Sequence, residues 1–340
     1  MRKILLGIFV SGFLLIQANA QEQTAKLLQE TARTLVQQGD FDNAILMLER
    51  ARLQEPGNTE ILKDLSFAAY LKRDFSKAIE VGNLLITKPD ADPQAFQIVG
   101  MSYKATAAYK DCAKLYRTAL RKFPKSGVLY NEYAELFALE KEMEEAIAQW
   151  EKGIEMDPGY SSNYYNAAIY YLSKSNWIRA SLYGEIFLNL ESYTARTTEM
   201  KTQLFTAFKN LYSLESLKLL KELKTNSTFE KIILDGISSA MRTRTSTGNM
   251  NDLISVRARF VQEWQNEQHP GFSYRLFDHQ LYLINQGLFE AYHYWLLSTT
   301  IPEEARDAWK KTHPKETEGF KAFQESRVFK LSEAAYYFNK

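Results

Sequence analysis

Residues 39–44 read Gly39-Asp40-Phe41-Asp42-Asn43-Ala44, and a related stretch, residues 73–78, follows 34 positions later. The large residue and the small residue of this stretch recur three more times at the same spacing. The two series are Phe41, Phe75, Tyr109, Met143, Trp177 and Ala44, Ala78, Cys112, Ala146, Ala180. A spacing that holds through five units predicts a stacked array of structural repeats and not a compact enzyme core.

Each unit has the pattern of two helices joined by a tight turn. The third unit shows an apolar helix face at i, i+3, i+4 and i+7, formed by Phe96, Val99, Gly100 and Tyr103. Because glycine has no side chain, we expect Gly100 to let a neighbouring helix approach closely. The predicted units are 25–58, 59–92, 93–126, 127–160 and 161–194.

This pattern resembles the tetratricopeptide repeat family over residues 25–194. The resemblance implies an all-α fold, a right-handed superhelix of helical hairpins with the first helix of each pair on the concave side. Two units depart from the family pattern. The second has Gly82 where a large residue is usual, and the fifth has Gly184 there and Ser192 in place of the closing proline.

By this resemblance, the second, fifth, ninth and twelfth residues of each unit line the concave groove. The groove positions are Lys63, Phe67, Tyr70, Gln97, Met101, Lys104, Asn131, Glu135, Tyr165, Ile169 and Leu172. We interpret this lining as largely apolar and aromatic, which suits an amphipathic helix or an extended peptide. Some members of the family hold a peptide carboxylate with a Lys/Asn clamp, but Phe67 stands where that Asn would follow Lys63. Two other occupants stay open, namely the chain's own C-terminal helices or a small ligand.

The first 20 residues have the pattern of a secretory signal peptide. Arg2 and Lys3 precede an apolar run of 13 residues, and Ala18-Asn19-Ala20 matches a small-x-small cleavage site. The run is shorter than the roughly 20 residues that span a bilayer. We therefore expect a chain exported to a bacterial periplasm or cell surface, with no transmembrane segment after cleavage.

Charge and cysteine content exclude some classes of function. Without Arg2 and Lys3 the chain has 40 basic and 41 acidic residues, so nothing indicates a nucleic-acid partner. The single cysteine, Cys112, cannot form an internal disulfide and stands at the small-residue position of its repeat. We expect it to be buried and unreactive.

From Ala195 the 34-residue phase is lost while helical periodicity continues, and we predict a helical region over 195–340 that caps the array. Residues 272–299 predict a degenerate repeat-like hairpin, because residues 287–291 echo residues 39–44 with one deletion. We expect a loop at 243–249, a helix over 252–268 and a helix capped by Thr300 with Pro302 in its first turn. The apolar residues of the expected last helix are Phe320, Phe323, Phe329, Leu331, Ala335 and Tyr336.

All four histidines lie in the C-terminal half. Glu290-x-x-His293 has the spacing of metal-binding pairs in helical bundles, and Asp278-His279 could add ligands. A second Glu-x-x-His and the common catalytic motifs are missing from the sequence, so we predict no catalytic residue, no metal and no cofactor. The preferred hypothesis is a non-catalytic interaction scaffold of the cell envelope. Two alternatives are a metal-dependent or hydrolytic C-terminal half fed by the repeats, and a purely structural role in which the outer surface binds.

Overall fold

The structure is a computed structural model that describes residues 24–222, 227–242, 249–266, 274–326 and 329–332. The predicted signal peptide, most of the predicted loop at 243–249 and residues 333–340 lie outside the described residues. Over the described ranges the chain forms eighteen α-helices and no strand. None of the helices in these ranges is both long enough and apolar enough to cross a bilayer.

The chain divides into two compact units, one up to Asp90 and one from Ala91. The first unit contains α1 (Ala25–Gln37), α2 (Phe41–Gln54), α3 (Thr59–Leu71) and α4 (Phe75–Ile86). In the second unit, six helices continue the pairs: α5 (Pro93–Ala105), α6 (Tyr109–Lys122), α7 (Gly127–Leu139), α8 (Met143–Met156), α9 (Ser161–Ser173) and α10 (Trp177–Leu190).

Eight further helices complete the second unit. They are α11 (Ala195–Leu211), α12 (Leu214–Glu222), α13 (Thr228–Met241), α14 (Met250–Asn266), α15 (Arg275–Asn285), α16 (Phe289–Leu296), α17 (Glu303–Thr312) and α18 (Pro314–Ser326). One hydrophobic core runs from Ala134 on α7 to Phe329 after α18. The second unit therefore joins repeats and C-terminal helices around shared apolar packing.

Ten helices begin where the repeat phase predicts. The first helices of the pairs start at the predicted unit boundaries, and the second helices start at Phe41, Phe75, Tyr109, Met143 and Trp177. This confirms the all-α repeat fold. The phase runs one step further than expected, because α11 starts at Ala195, 34 residues after Ser161. It then extends for 17 residues, against 13 in α9, and ends where the next second helix would begin.

The turn inside each pair has one left-handed residue. These residues are Gly39, Arg73, Ala107, Lys141 and Ser175, with φ between 56° and 80°. The next amide donates to a carbonyl five residues back, as Asp40 does to Leu35 at 2.9 Å. This is the Schellman closure of a helix C-terminus, which satisfies carbonyls that the helix leaves free.

The predicted hairpin at 272–299 has the same turn. Gly287 has a φ of 70°, and the Leu288 amide donates to the Leu283 carbonyl at 2.8 Å. Phe289 then starts α16 as Phe41 starts α2, so the predicted deletion falls inside the helix. α15 and α16 form a sixth repeat-like hairpin.

Two predictions near the C-terminus are wrong. The helix expected to continue through Phe329 and Leu331 ends at Ser326, and these two residues are not helical. Phe329 instead packs its ring on His279, 5.1 Å between centroids, and is buried there. Pro302 is the N-cap of α17, so it lies before the first turn and Thr300 does not cap the helix.

Candidate functional site

The first helices of the second unit lie side by side and are joined by hydrogen bonds between successive pairs. Gln97 on α5 donates to Glu132 on α7 at 2.8 Å, and Asn166 on α9 donates to Asn131 on α7 at 2.8 Å. Each bond joins the fifth residue of one pair to the sixth residue of the next. The first unit has the same bond from Gln29 to Asp64 at 2.6 Å. We call this series the fifth-to-sixth ladder.

Lys104 is the centre of a charged cluster on α5 and α7. Its ammonium donates to Glu132 at 2.6 Å and to Glu135 at 2.8 Å, and the Asn131 amide donates to Glu135 at 2.8 Å. The side chains of Lys104 and Glu132 are 11% and 6% exposed. Burial lowers the pKa of Lys104, but the two carboxylates outweigh it and the pKa is raised. The ammonium is thus held charged and fixed in place.

This cluster corrects the expectation of a largely apolar lining. Gln97, Lys104, Asn131 and Glu135 lie where the repeat phase places them, but they bond to one another and to Glu132. Glu132 was not among the predicted groove residues, because it stands at a sixth position and not at a groove position. The 35-residue spacing of polar pairs was the signal that would have identified it.

The apolar part of the face lies mainly on α9. The Tyr165 ring packs on Phe187 with centroids 5.1 Å apart, and the Arg196 guanidinium lies 5.1 Å from it. The Tyr165 hydroxyl donates to the Glu199 carboxylate at 2.7 Å. Burial and Glu199 raise the pKa of Tyr165 to about 12, so it stays a neutral donor. Ile169 on α9 and Met101 on α5 are half-buried.

Three predicted groove residues belong to the first unit, on α3. Phe67 is 38% exposed. Tyr70 is half-buried and packs its ring against Phe75, and Lys63 pairs with Glu60 at 2.7 Å. Phe67 is therefore the most accessible apolar side chain among these three.

The C-terminal helices attach to the repeats at α10, the second helix of the fifth pair. The Glu185 carboxylate accepts from Arg257 on α14 at 2.5 Å, from Gln280 on α15 at 2.6 Å and from Tyr292 on α16 at 2.9 Å. Residues 178–188 of α10 are buried without interruption. These bonds therefore connect the C-terminal helices with the second helix of this pair.

Both residues of the predicted Glu290/His293 metal pair form hydrogen bonds within the chain. His293 is fully buried, with its Nε2 2.6 Å from Arg257 and its Nδ1 2.7 Å from the Phe289 carbonyl. Burial and then Arg257 lower the pKa of His293 well below its usual range, so the ring is neutral. Glu290 accepts from the Trp309 indole at 2.6 Å. Across the parts of the chain that are described, no group of three or more His, Cys, Asp or Glu side chains is placed to hold a metal.

Cys112 is buried, as the repeat position predicts. Its thiol lies 3.5 Å from the Gly100 carbonyl and donates to it. Burial raises the pKa of the thiol to about 12, so the reactive thiolate form is suppressed.

Comparison with known families identifies the repeats. Two tetratricopeptide repeat profiles match the chain, one over residues 35–99 and one over residues 101–161. These two stretches therefore consist of tetratricopeptide repeats, a type of helical repeat that supports a protein-interaction scaffold. No curated protein matches the sequence.

Several solved structures are similar to part of this chain. MamA from Desulfovibrio magneticus RS-1 is 17% identical, covers 49% of this chain and 94% of its own, and has a TM-score of 0.39. A thermophilic TPR protein of Thermus thermophilus is 16% identical, covers 54% and 98%, and has a TM-score of 0.44. Pseudomonas aeruginosa pilF is 13% identical, covers 72% and 97%, and has a TM-score of 0.45.

Proposed function

We propose that this protein is a non-catalytic adaptor of the cell envelope, which binds a peptide or a helix of a partner on its first helices. The observation that carries the proposal is the fifth-to-sixth ladder. Within each unit it fixes side chains of neighbouring first helices relative to one another before any partner arrives. A surface that is already ordered loses little conformational entropy on binding, which favours affinity.

The binding energy would come from apolar contacts more than from charge. Lys104 is already paired with Glu132 and Glu135, so a partner would have to break those bonds to use its charge. In the second unit Met101 and Tyr165 are half-buried and offer apolar surface, and in the first unit Phe67 is exposed and does the same. Partner affinity should therefore depend weakly on salt concentration, since only exposed, unpaired charges are strongly screened.

A groove variant tests the proposal. We would replace Phe67, Tyr70, Met101 and Tyr165 with alanine and compare capture of envelope proteins by this variant and by the wild type. The matched control replaces Leu46, Leu53 and Leu84, which are 46%, 79% and 48% exposed on α2 and α4, the second helices of their pairs.

The expected result is a partner captured by the wild type and by the control, and lost by the groove variant. Equal capture by all three proteins would contradict binding at the first helices. Circular dichroism of each protein, compared before the capture, would show that loss of the partner does not reflect loss of the fold.

Export is the second part of the proposal and rests on residues 1–20 alone. Expression of the full chain in a bacterium, followed by mass spectrometry of the periplasmic fraction, tests it. The expected mature protein begins at Gln21. Full-length protein confined to the cytoplasm would contradict export.

A further inference from the structure

A cavity of about 250 Å³ lies among α16, α17 and α18, in the C-terminal part of the second unit. Its walls are formed by Ala291, Tyr294, Trp295, Ser298, Arg306, Trp309, Lys310, Thr317 and Phe320. The volume is close to the lower end of the range of small-molecule sites, which begins at roughly 300 Å³. It matches one aromatic group with a short polar extension better than a larger ligand.

The apolar wall of the cavity is aromatic. Tyr294 and Trp309 stack with ring centroids 4.2 Å apart, and Trp295 and Phe320 lie 5.9 Å apart. Trp309 is also fixed by its indole bond to Glu290. Trp309 also stacks on His313 with ring centroids 4.7 Å apart, so the apolar surface for a ligand is that of Trp295 and Phe320.

A buried cation lies beside this wall. Lys201 on α11 is 8% exposed, and its ammonium donates to the Ser298 hydroxyl at 3.1 Å and lies 4.7 Å from the Trp295 ring centroid. No carboxylate of the described chain pairs with it. A buried charge that meets only a neutral hydroxyl and a ring destabilises the free protein, because the lost hydration is not replaced.

Arg306 adds a second cation. Its Nε is buried, and no acceptor among residues 24–332 that the structure describes lies within hydrogen-bonding distance. Lys310 is paired with Asp307 at 3.0 Å, and Glu290 is the nearby acid held by Trp309. Around the cavity, Lys201, Arg306 and Lys310 carry positive charge, and Asp307 and Glu290 carry negative charge, so one positive charge is in excess. Lys201 and Arg306 are the two cations that are not paired with a carboxylate.

We propose that this cavity binds a small carboxylate with a flat apolar body, either a free aromatic acid or the C-terminal residue of a peptide. The body lies against Trp295 and Phe320. The carboxylate accepts hydrogen bonds from Arg306, which lines the cavity, and from Lys201, whose ammonium lies beside the lining residue Ser298. Two cations around one carboxylate make charge-assisted bonds, which are stronger than neutral ones. This site does not depend on partner binding at the first helices.

The protonation behaviour of Lys201 supports this assignment. Burial and then Arg306 lower the pKa of Lys201 to about 8. The ammonium form is still the major one at pH 7, so the cation is present for an anionic ligand.

Titration calorimetry of the full chain with three probes tests the site. The probes are 3-phenylpropionate, its neutral amide and the tripeptide Ala-Ala-Phe with a free carboxylate. We expect both acids to bind, and the amide to bind at least tenfold more weakly. Tighter binding of the tripeptide would identify a peptide end as the ligand, and tighter binding of phenylpropionate a free acid. Equal binding of acid and amide, or no binding of any probe at millimolar concentration, would overturn the proposal.

Variants separate a ligand site from a packing feature. Lys201→Met should weaken acid binding about ten- to a hundredfold and raise the melting temperature of the free protein, because it removes an uncompensated buried charge. Lys110→Met, at an exposed position of α6, is the matched control and should leave binding unchanged. Acid binding that survives in Lys201→Met at wild-type affinity would overturn the assignment.

Discussion

Glu185 on α10 and Arg257 on α14 form an ion pair that is buried on both sides, with 2.5 Å between Oε2 and the guanidinium nitrogen. The two residues are 72 positions apart in the chain. The pair therefore ties the C-terminal helices to the last helix of the repeats. It is completed by neutral donors, Gln280 and Tyr292, which satisfy the second carboxylate oxygen.

The first prediction concerns this pair. Arg257→Met leaves the Glu185 carboxylate buried without its cation, which should lower the free energy of unfolding by about 3–5 kcal/mol. Glu185→Met combined with Arg257→Met should recover at least about 1 kcal/mol of that loss, since no charge is then left unpaired. Denaturant unfolding measures both variants.

An exposed ion pair is the control for that experiment. Lys221 and Asp235 are 2.8 Å apart with side chains 40% and 74% exposed. Lys221→Met should change the free energy of unfolding by no more than about 0.5 kcal/mol. A similar small effect for Arg257→Met would contradict the structural role of the buried pair.

The second prediction is a pH dependence set by His293. Its pKa is depressed in the folded protein by burial and by Arg257, while an unfolded histidine has a pKa of about 6.5. Below pH 6.5 the unfolded chain therefore binds a proton that the folded chain does not. Stability should fall with pH from 6.5 downward, by up to about 1.4 kcal/mol per pH unit from this residue.

Unfolding of wild type and His293→Gln between pH 5 and pH 8 checks this. The variant should be less stable at neutral pH, because Arg257 and the Phe289 carbonyl lose their ring partner. Its stability should nevertheless depend less on pH below 6.5, and the two slopes should coincide above pH 7. Identical slopes over the whole range would argue against a buried neutral His293.

The third prediction uses the repeated turn. Ala107 has a φ of 56°, a conformation that glycine adopts without strain and alanine does not. Ala107→Gly should raise the free energy of unfolding by about 0.5–1 kcal/mol, after the entropy that glycine adds to the unfolded chain. Ala113→Gly, inside α6, should lower it by a similar amount. Thermal unfolding measures both, and a loss of stability in both would contradict the turn geometry.

Local features of the fold were predictable because they are periodic in the chain. The 34-residue spacing of Phe41, Phe75 and their equivalents predicted where the second helix of each of the five pairs begins. The Gly287-Leu288-Phe289 echo identified a sixth hairpin, since the same turn chemistry closes both. These predictions succeeded because a turn and the helix after it are specified within a few neighbouring residues.

Non-local features were not predictable in this way. Nothing near Glu185 indicates that its partners lie on α14, α15 and α16, because residues far apart in sequence have no spacing rule. Glu132 is a different case, because the 35-residue spacing from Gln97 was present in the sequence, but its bond to Lys104 follows no such spacing. The end of α18 was also predicted wrongly. Phe320, Phe323 and Phe329 are spaced as on one face of a helix, but the chain at Phe329 is not helical.

The last prediction concerns the close approach at Gly100, which the sequence suggested. A Cβ there would lie 2.0 Å from the Tyr116 hydroxyl oxygen and 2.3 Å from its ring carbon Cζ. Tyr116 is fully buried and its hydroxyl donates to Glu132, so the ring has no space to withdraw. Gly100→Ala should therefore lower the free energy of unfolding by about 1–3 kcal/mol. It should also disturb the Lys104 cluster through Glu132, and with it partner binding.

Two further variants make this test specific. Gly57→Ala, where an added Cβ meets no atom within 4 Å, should have little effect. Tyr116→Phe combined with Gly100→Ala should not restore stability, because the ring carbon Cζ is itself too close and Glu132 loses a donor. Chemical denaturation measures the free energy of unfolding of the three variants. A Gly100→Ala variant as stable as Gly57→Ala would show that α5 and α6 are not packed as closely as the structure has them.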